Sequence, residues 1–485
     1  MTRPFWAVCL IGAVVLLSAL FAGGSENMPC EVGLVKQLFV EDCVIDEMAG
    51  ARKVLNRANR YSDEPILTPE HAWEGRGVVA PIVLWDAEAG CFHMYYWAHY
   101  DKDDRIFTCY AKSKDGIRWE KPALGLYEGP DGTKQNNIVL RGEGRQARMR
   151  YVSLNPYATR ADERFVMMYI DNVPNLTEFA AYSPDGLHWT TTAKIGDLRG
   201  VTGGPPTPNP RFFLVEQKWD TSKLDHRYRA IWRTESHDLQ TWSGGTWAIQ
   251  LAPEDDRNLE FYHATSHFLG SQTYHGLHLG YIYPYHTNPE GEKLQDGTRM
   301  AGTIDVELVA SRDTIHWARV DPNRLFFECG REGAWDAGMV FVSPEVVVDD
   351  EVRFYYGGWA LDHAAKENRG AIGLATLRLD GFVHIEPESG EATVTTKPFK
   401  LAGTDLEINA DARQGAVTAA VLDADGEPVD GLDADACEPF TEDAVRHAVR
   451  WNGNRALSGL LMRQIRLRFH IEGKARLYAF QFVQE

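Results

Sequence analysis

The chain has 485 residues, more than one ordinary core accommodates, so its length points to two domains. Hydrophobic residues at 44% and charged residues at 25% give the composition of a folded protein, not a disordered or fibrous one. A net charge of −19 argues against nucleic acid and anionic membranes as partners. It also makes sulfated or uronate-rich polymers less natural ligands, unless arginines gather locally.

The N-terminus reads as an export signal. Arg3 supplies the charge, "FWAVCLIGAVVLLSALF" (5–21) is an apolar run, and "AGGS" (22–25) offers small residues for cleavage. The expectation is a signal peptide over 1–24 and a secreted or periplasmic protein. An uncleaved anchor is the alternative, because the run is about long enough to span a bilayer. No later stretch has that character. Seven cysteines are scattered without a C-x-x-C, which speaks against zinc. A Cys30–Cys43 disulfide stays open. Cys91 and Cys109 fall on one predicted hairpin, out of register, and are not expected to pair.

Within the segment 25–59, "KQLFVEDCVI" (36–45) is a strand that closes a ring or bridges two domains. From 60 to 390 one sentence repeats: strand, loop, strand, tight Asp-rich turn, strand. The turns are "SKDGIRW" (113–119), "SPDGLHW" (183–189), "SHDLQTW" (236–242) and "SRDTIHW" (311–317). A degenerate fifth copy, "LRLDGFV" (377–383), has Phe382 near the tryptophan place. Asp and Gly accept the backbone angles of a tight hairpin, and the Ser hydroxyl can bond back to it. The Asp of each copy (115, 185, 238, 313) is therefore a turn residue. Trp119, Trp189, Trp242 and Trp317 read as wedges between neighbouring sheets, not as sugar platforms. Units of this length with four short strands each indicate a β-propeller, and five units imply five blades. "LDHAAKENRG" (361–370) reads as a loop. After "PESGEATVTTKPF" (387–399) the rhythm changes to that of a small β-sandwich over 391–485. The predicted fold is all-β: a five-bladed propeller followed by a sandwich.

These features resemble a known family. "QLFVEDCVI" (37–45), "PILTPEHAWEGRGV" (65–78), "YAKSKDGIRWEKP" (110–122), "VELVASRDTIHW" (306–317), "AWDAGMVF" (334–341) and "GLATLRLDGFV" (373–383) are similar to the glycoside hydrolase family 32 and 43 superfamily. More narrowly they resemble secreted bacterial proteins with a family 32 N-terminal domain-like propeller. The stretch 65–81 also resembles the mannoside phosphorylases of family 130. Sialidases are a rival, but their turn frame is one residue longer, and no convincing set of three carboxylate-binding arginines stands out.

The resemblance implies a funnel with three carboxylates at its mouth, normally starting with an Asp-Pro in each of the first two blades. Here those places read Ala80-Pro81 and Asn155-Pro156, and blade three offers Asn209-Pro210. None supplies a carboxylate, so other residues become candidates. Glu74, Glu260 and Asp336 precede or begin inner strands and are the catalytic candidates, since glycoside hydrolysis needs one carboxyl to protonate the leaving oxygen and one to attack or activate water. Their plain alternatives are a loop-bracing ion pair, an edge-strand charge and a turn cap. Arg76, Asn155, Tyr262, His263 and Trp335 are the substrate-binding candidates. Glu74, Arg76, Glu260, His263 and Asp336 are expected at one mouth of the funnel. His263 and His267 do not make a metal site without a carboxylate, and no cofactor is expected. Asp305 and Glu307 stay ambiguous.

Three functions fit: a secreted glycosidase or phosphorylase, a carbohydrate-binding propeller without catalysis, or a partner-binding propeller. Paired carboxylates in the funnel would favour the first. Aromatics and amides there would favour the second, and a filled funnel the third.

Overall fold

The computed structural model describes residues 32–484 apart from 101–104, 145, 173–175, 292, 296, 323, 455 and 456. The segment 1–24, expected to be a signal peptide, and Cys30 lie outside the described residues. Among the described residues the chain is all-β, broken only by three-residue 3-10 turns. No helix of these residues is long and apolar enough to cross a membrane.

Successive antiparallel meanders follow the repeat. In the first, Gly77–Asp86, Cys91–Tyr100, Arg105–Ser113 and Ile138–Leu140 pair in chain order. Arg148–Leu154, Phe165–Asn172, Leu176–Ser183 and Thr190–Gly196 form the second. Phe212–Asp220, Tyr228–Ser236 and Trp242–Ile249 form the third. The fourth comprises Leu259–Ser266, His278–Thr287, Glu307–Ser311 and Ala318–Arg319. In the last, Met339–Val342, Glu351–Trp359 and Gly370–Arg378 pair in order.

The outer place of that last meander departs from expectation. The repeat predicts that the strand after the turn 377–383 takes this place, but Asn59–Arg60 pairs there with Gly370–Arg378. Asp380 takes a left-handed turn (φ 60) and is gripped by Lys36 at 2.8 Å and by the Tyr274 hydroxyl at 3.0 Å. Beyond it Val383–Pro387 pairs with Ala51–Leu55 instead. A strand from the start of the chain thus sits on the last meander, just before the first begins.

The repeated turns join meander to meander. Ser113 Oγ accepts from the amide of Gly116 at 2.8 Å, and Asp115 Oδ1 accepts from the amides of Ile117 and Arg118, both at 2.9 Å. The same pattern recurs at Ser183/Asp185, Ser236/Asp238 and, through the aspartate, at Asp313. The residue after the Asp is left-handed each time: Gly116, Gly186, Leu239 and Thr314. Tyr355 of the last meander donates to the Gly116 carbonyl, and Tyr95 of the first donates to Gly186, both at 2.9 Å. A Cβ on Gly116 or Gly186 would lie 2.5 or 2.4 Å from those hydroxyls, so glycine is required there by conformation and by contact. The indoles follow the same rule. Trp119 meets Tyr355 edge-on, Trp189 meets Tyr95, and Trp317 packs on Phe213. Each turn therefore packs on the meander before it, and the first turn packs on the last.

Two further sheets hold the ends of the chain. One carries Val383–Pro387, Arg476–Val483, Asp405–Asp411 and Asp443–Ala448; the other carries Glu391–Thr396, Gln464–Gly473 and Gly415–Asp423. Along Gln464–Gly473 buried and less buried residues alternate, and Phe469 meets Phe480 of the facing sheet at 5.4 Å between ring centres. The segment 36–45 belongs here: Gln37–Leu38 pairs with Arg476–Val483, and Ile45–Ala49 with Glu391–Thr396.

Candidate functional site

The first strand of each meander lines one cavity of about 680 Å³. Alternation puts every second side chain of a strand on the same face. Arg148 and Arg150 thus both reach the cavity from Arg148–Leu154, and Glu216 reaches it from Phe212–Asp220. Two irregularities alter the rule. The register of Leu259–Ser266 shifts between Phe261 and Ala264, and the consecutive residues Tyr262 and His263 both line the cavity. The register of Gly77–Asp86 shifts between Val79 and Ile82, where Ala80 is left-handed (φ 49) and lines the cavity with Pro81. Bulges of this kind re-aim side chains and concentrate at functional sites.

One wall is acidic. Glu178 lies on Leu176–Ser183, two residues after the cavity residue Leu176. Arg150 contacts Glu216 at 3.0 Å and Glu178 at 3.7 Å, and both carboxylates are nearly buried. Burial, then the neighbouring charge of Glu216, pushes the Glu178 carboxyl well above the usual carboxylate range. Burial opposes the charge on Arg150, but Glu216 and Glu178 outweigh it and hold the guanidinium protonated. The wall thus holds two carboxyl groups on one guanidinium. Glu178 Oε2 has no hydrogen-bond partner.

The remaining polar lining is imidazole and guanidinium. Arg150 donates to His263 Nε2 at 2.9 Å, so the ring proton sits on Nδ1, which is buried without a partner. Burial first, then Arg150 and Arg148, pushes His263 well below the ordinary histidine value. Burial, with Arg76 and Arg148, pushes His99 down to about 3, and neither of its ring nitrogens has a hydrogen-bond partner. His363 Nδ1 donates to the Met300 carbonyl at 3.0 Å, leaving Nε2 to accept from the Tyr262 hydroxyl at 2.9 Å. Trp97, Trp359, Phe341 and Tyr283 supply apolar and aromatic surface. Among the described residues, no cluster of three or more His, Cys, Asp or Glu could hold a metal ion.

Of the residues proposed from sequence, Arg76, Tyr262 and His263 line the cavity. Glu260 stands one contact behind it, bonded to the lining residue Arg229. The others are not in the lining, so the single mouth expected for Glu74, Arg76, Glu260, His263 and Asp336 is not formed. Glu74 is turned inward by the short 3-10 turn Ala72–Glu74 and is bonded to Tyr96, Lys121 and two amides. Asp336 is held by Arg60 at 2.8 Å and the Tyr356 hydroxyl at 3.1 Å. Trp335 stacks on Tyr356. Asn155 caps its own turn, bonding the Glu163 carbonyl and the Tyr157 amide. Asp305 is paired with His286 at 3.2 Å, and Glu307 with Arg319 at 2.7 Å. Sequence reasoning missed Glu178, Glu216, Arg148 and Arg150. The available signal was "RMRYVSL" (148–154), two arginines on one face of an inner strand.

No family model matches the chain, and no curated protein matches it. The chain is similar to glycoside hydrolases of known structure. A fructofuranosidase from Schwanniomyces occidentalis, complexed with fructosylnystose, is similar over 86% of this chain and 96% of that one, at 11% identity and TM-score 0.36. A structure from the GH130 family of mannoside phosphorylases, described for hydrolases of β-1,2 mannosidic linkages in Candida mannan, covers 67% of this chain and 94% of its own. Its identity is 15% and its TM-score 0.39. An N-acetylgalactosamine deacetylase from F. plautii, in complex with blood group B trisaccharide, covers 68% and 96%, at 14% identity and TM-score 0.44.

Proposed function

We propose that the chain is a glycoside hydrolase-like, five-bladed propeller with an appended β-sandwich, cleaving an O-glycosidic bond of an oligo- or polysaccharide held in the axial cavity. The turns that pack each meander on its predecessor support the propeller reading. The observation that carries the chemistry is the Glu178–Glu216 pair on Arg150. A carboxyl whose proton is held by burial is what acid catalysis at neutral pH requires, and Glu178 is pushed in that direction. Glu178 gives its proton to the leaving glycosidic oxygen. Water adds its hydroxyl to the anomeric carbon, and its remaining proton restores the pair. While both carboxylates are charged, Arg150, in reach of each, compensates them. We also propose export through residues 1–24.

A second reading, a carbohydrate-binding propeller without turnover, draws on one observation. Glu178 and Glu216 share one guanidinium and stand on one wall, whereas hydrolytic carboxylates flank the bond at roughly 5–10 Å. Ala80 occupies the place where the resemblance implies a further carboxylate. The purified protein and Glu178→Gln should be assayed on aryl-glycosides and oligosaccharides, with and without phosphate. Turnover by the wild type that Glu178→Gln abolishes supports hydrolysis. Sugar binding without turnover in either protein establishes the second reading, and turnover that needs phosphate replaces hydrolysis with phosphorolysis.

A further inference from the structure

The cavity differs in charge from the molecule around it. The whole chain has a net charge of −19. Yet Arg76, Arg148, Arg150, Arg199 and Arg229 all line the cavity, against the carboxylates Glu178, Asp197 and Glu216. The strands bring together arginines far apart in sequence, which is the local gathering that would reopen acidic sugars as ligands. Two imidazoles, His99 and His263, line the same cavity, and Arg150 bonds the second. His99 lies in the field of Arg76 and Arg148, and His263 in that of Arg150 and Arg148. Among the described residues, no carboxylate is among the main charges acting on either ring. Arg148 is common to both and lies 5.6 Å from the Trp97 ring centre.

We propose that the sugar taken by this cavity is anionic, bearing a uronate carboxylate or a sulfate ester that sits between Arg148 and the rings of His99 and His263. This rests on the reading of the cavity as a glycan site. Three observations support it. Cations outnumber carboxylates in the lining. The surrounding protein is acidic, so the cavity is the place where an anion is drawn in. His263 Nδ1 and both nitrogens of His99 are buried without hydrogen-bond partners, and buried polar groups of this kind are normally completed by a ligand or water. A carboxylate or sulfate oxygen would accept from His263 Nδ1–H and from the proton-bearing nitrogen of His99. The Arg148 guanidinium would supply a charge-assisted contact beside them.

The test is binding of matched oligomers to the full protein by calorimetry: galacturonate and glucuronate trimers, sulfated galactan oligomers, and the neutral galactose and glucose oligomers of the same length. The expected result is at least tenfold tighter binding of a uronate or sulfated oligomer than of its neutral counterpart, weakening as salt is raised. Arg148→Gln should erase that preference, and Arg148→Lys should restore part of it. Preference for the uronate set over the sulfated set identifies the anion as carboxylate, and the reverse identifies sulfate. Neutral oligomers binding as well as acidic ones would overturn the anionic assignment while leaving the glycan reading intact. Binding of no oligomer at all would overturn the glycan reading itself. If Arg148→Gln fails to fold, the salt dependence of wild-type binding decides, and a salt-independent affinity sinks the proposal.

Discussion

Glu74 and Glu178 are both buried carboxylates, at 0% and 5% exposure, and they lead to opposite conclusions. Around Glu74 the partners are complete. Its Oε2 accepts from the amides of Glu70 and His71 and from Lys121 at 2.7, 3.1 and 2.9 Å, and its Oε1 accepts from Tyr96 at 2.7 Å. Around Glu178 they are not: Oε2 has none, and the nearest cation is shared with Glu216. A buried carboxylate whose lone pairs are all used is holding a loop in place. One left short of donors at a cavity wall is poised for chemistry. Burial alone does not tell the two apart; the accounting of partners does.

The sharpest test substitutes each. Glu74→Ala should destabilise by about 3–5 kcal/mol, because it leaves Lys121, 3% exposed at its side chain, as a buried cation without its close counter-ion. Urea unfolding measures this, and a loss below about 1 kcal/mol would dissolve the contrast from the structural side. Glu178→Gln should instead lower turnover by about 10²–10⁴, the usual worth of a general acid. Its melting temperature should stay level or rise, since the change removes a potential like charge beside Glu216. An active Glu178→Gln enzyme would dissolve the contrast from the catalytic side.

Much of the periodic part was legible and little of the cavity was. Ser, Asp and Trp recur because each turn solves the same local problem, so the turn frame shows in one dimension. Leu239 and Thr314 show how far that goes: both adopt the left-handed conformation without being glycine, fixed by the Asp238 and Asp313 frames on either side. The cavity has no such period. Glu178 comes from a third strand, Glu216 from a first strand and His263 from a bulge, and only the tertiary fold brings them together. Glu74 and Asp336 misled for the converse reason. Each has the residue type and position of a catalytic group, and its quenching partners, Lys121 and Arg60, lie 47 and 276 residues away.

The turn belt and the cavity wall should also respond differently to truncation. Trp189 donates its indole N–H to the Gly186 carbonyl at 3.0 Å and packs edge-on against Tyr95 at 6.0 Å. It is half-buried, so Trp189→Ala should cost about 2–3 kcal/mol, at or below the low end for aromatic truncation in cores. Sugar binding should be untouched apart from that loss. A melting shift near zero would mean that the tryptophan is not a wedge. Lost binding at unchanged stability would move it from the belt to the site.

The smallest effect expected, read per pH unit, lies in the pH dependence of stability, where two groups of one cavity pull in opposite directions. His99 is pushed by burial and by Arg76 and Arg148 to about 3 in the folded chain, against an ordinary value of 6.5. Between those values the unfolded chain binds a proton that the folded chain refuses. Stability from His99 is therefore lost as pH falls from about 6.5 towards 3, by at most ~1.4 kcal/mol per pH unit. Glu178 is raised by burial and Glu216, so the folded chain keeps a proton that the unfolded one has given up. Its contribution is full below about 4.5 and declines as pH rises through the folded value. Urea midpoints measured from pH 4 to 8 should separate the two. His99→Gln should remove a loss of stability that grows as pH falls below about 6.5. Glu178→Gln should remove a loss that grows as pH rises above about 4.5, so between those values the two substitutions change the slope in opposite directions. If Glu178→Gln left the slope above pH 4.5 unchanged, the assignment of Glu178 as the protonated member of its pair would fail.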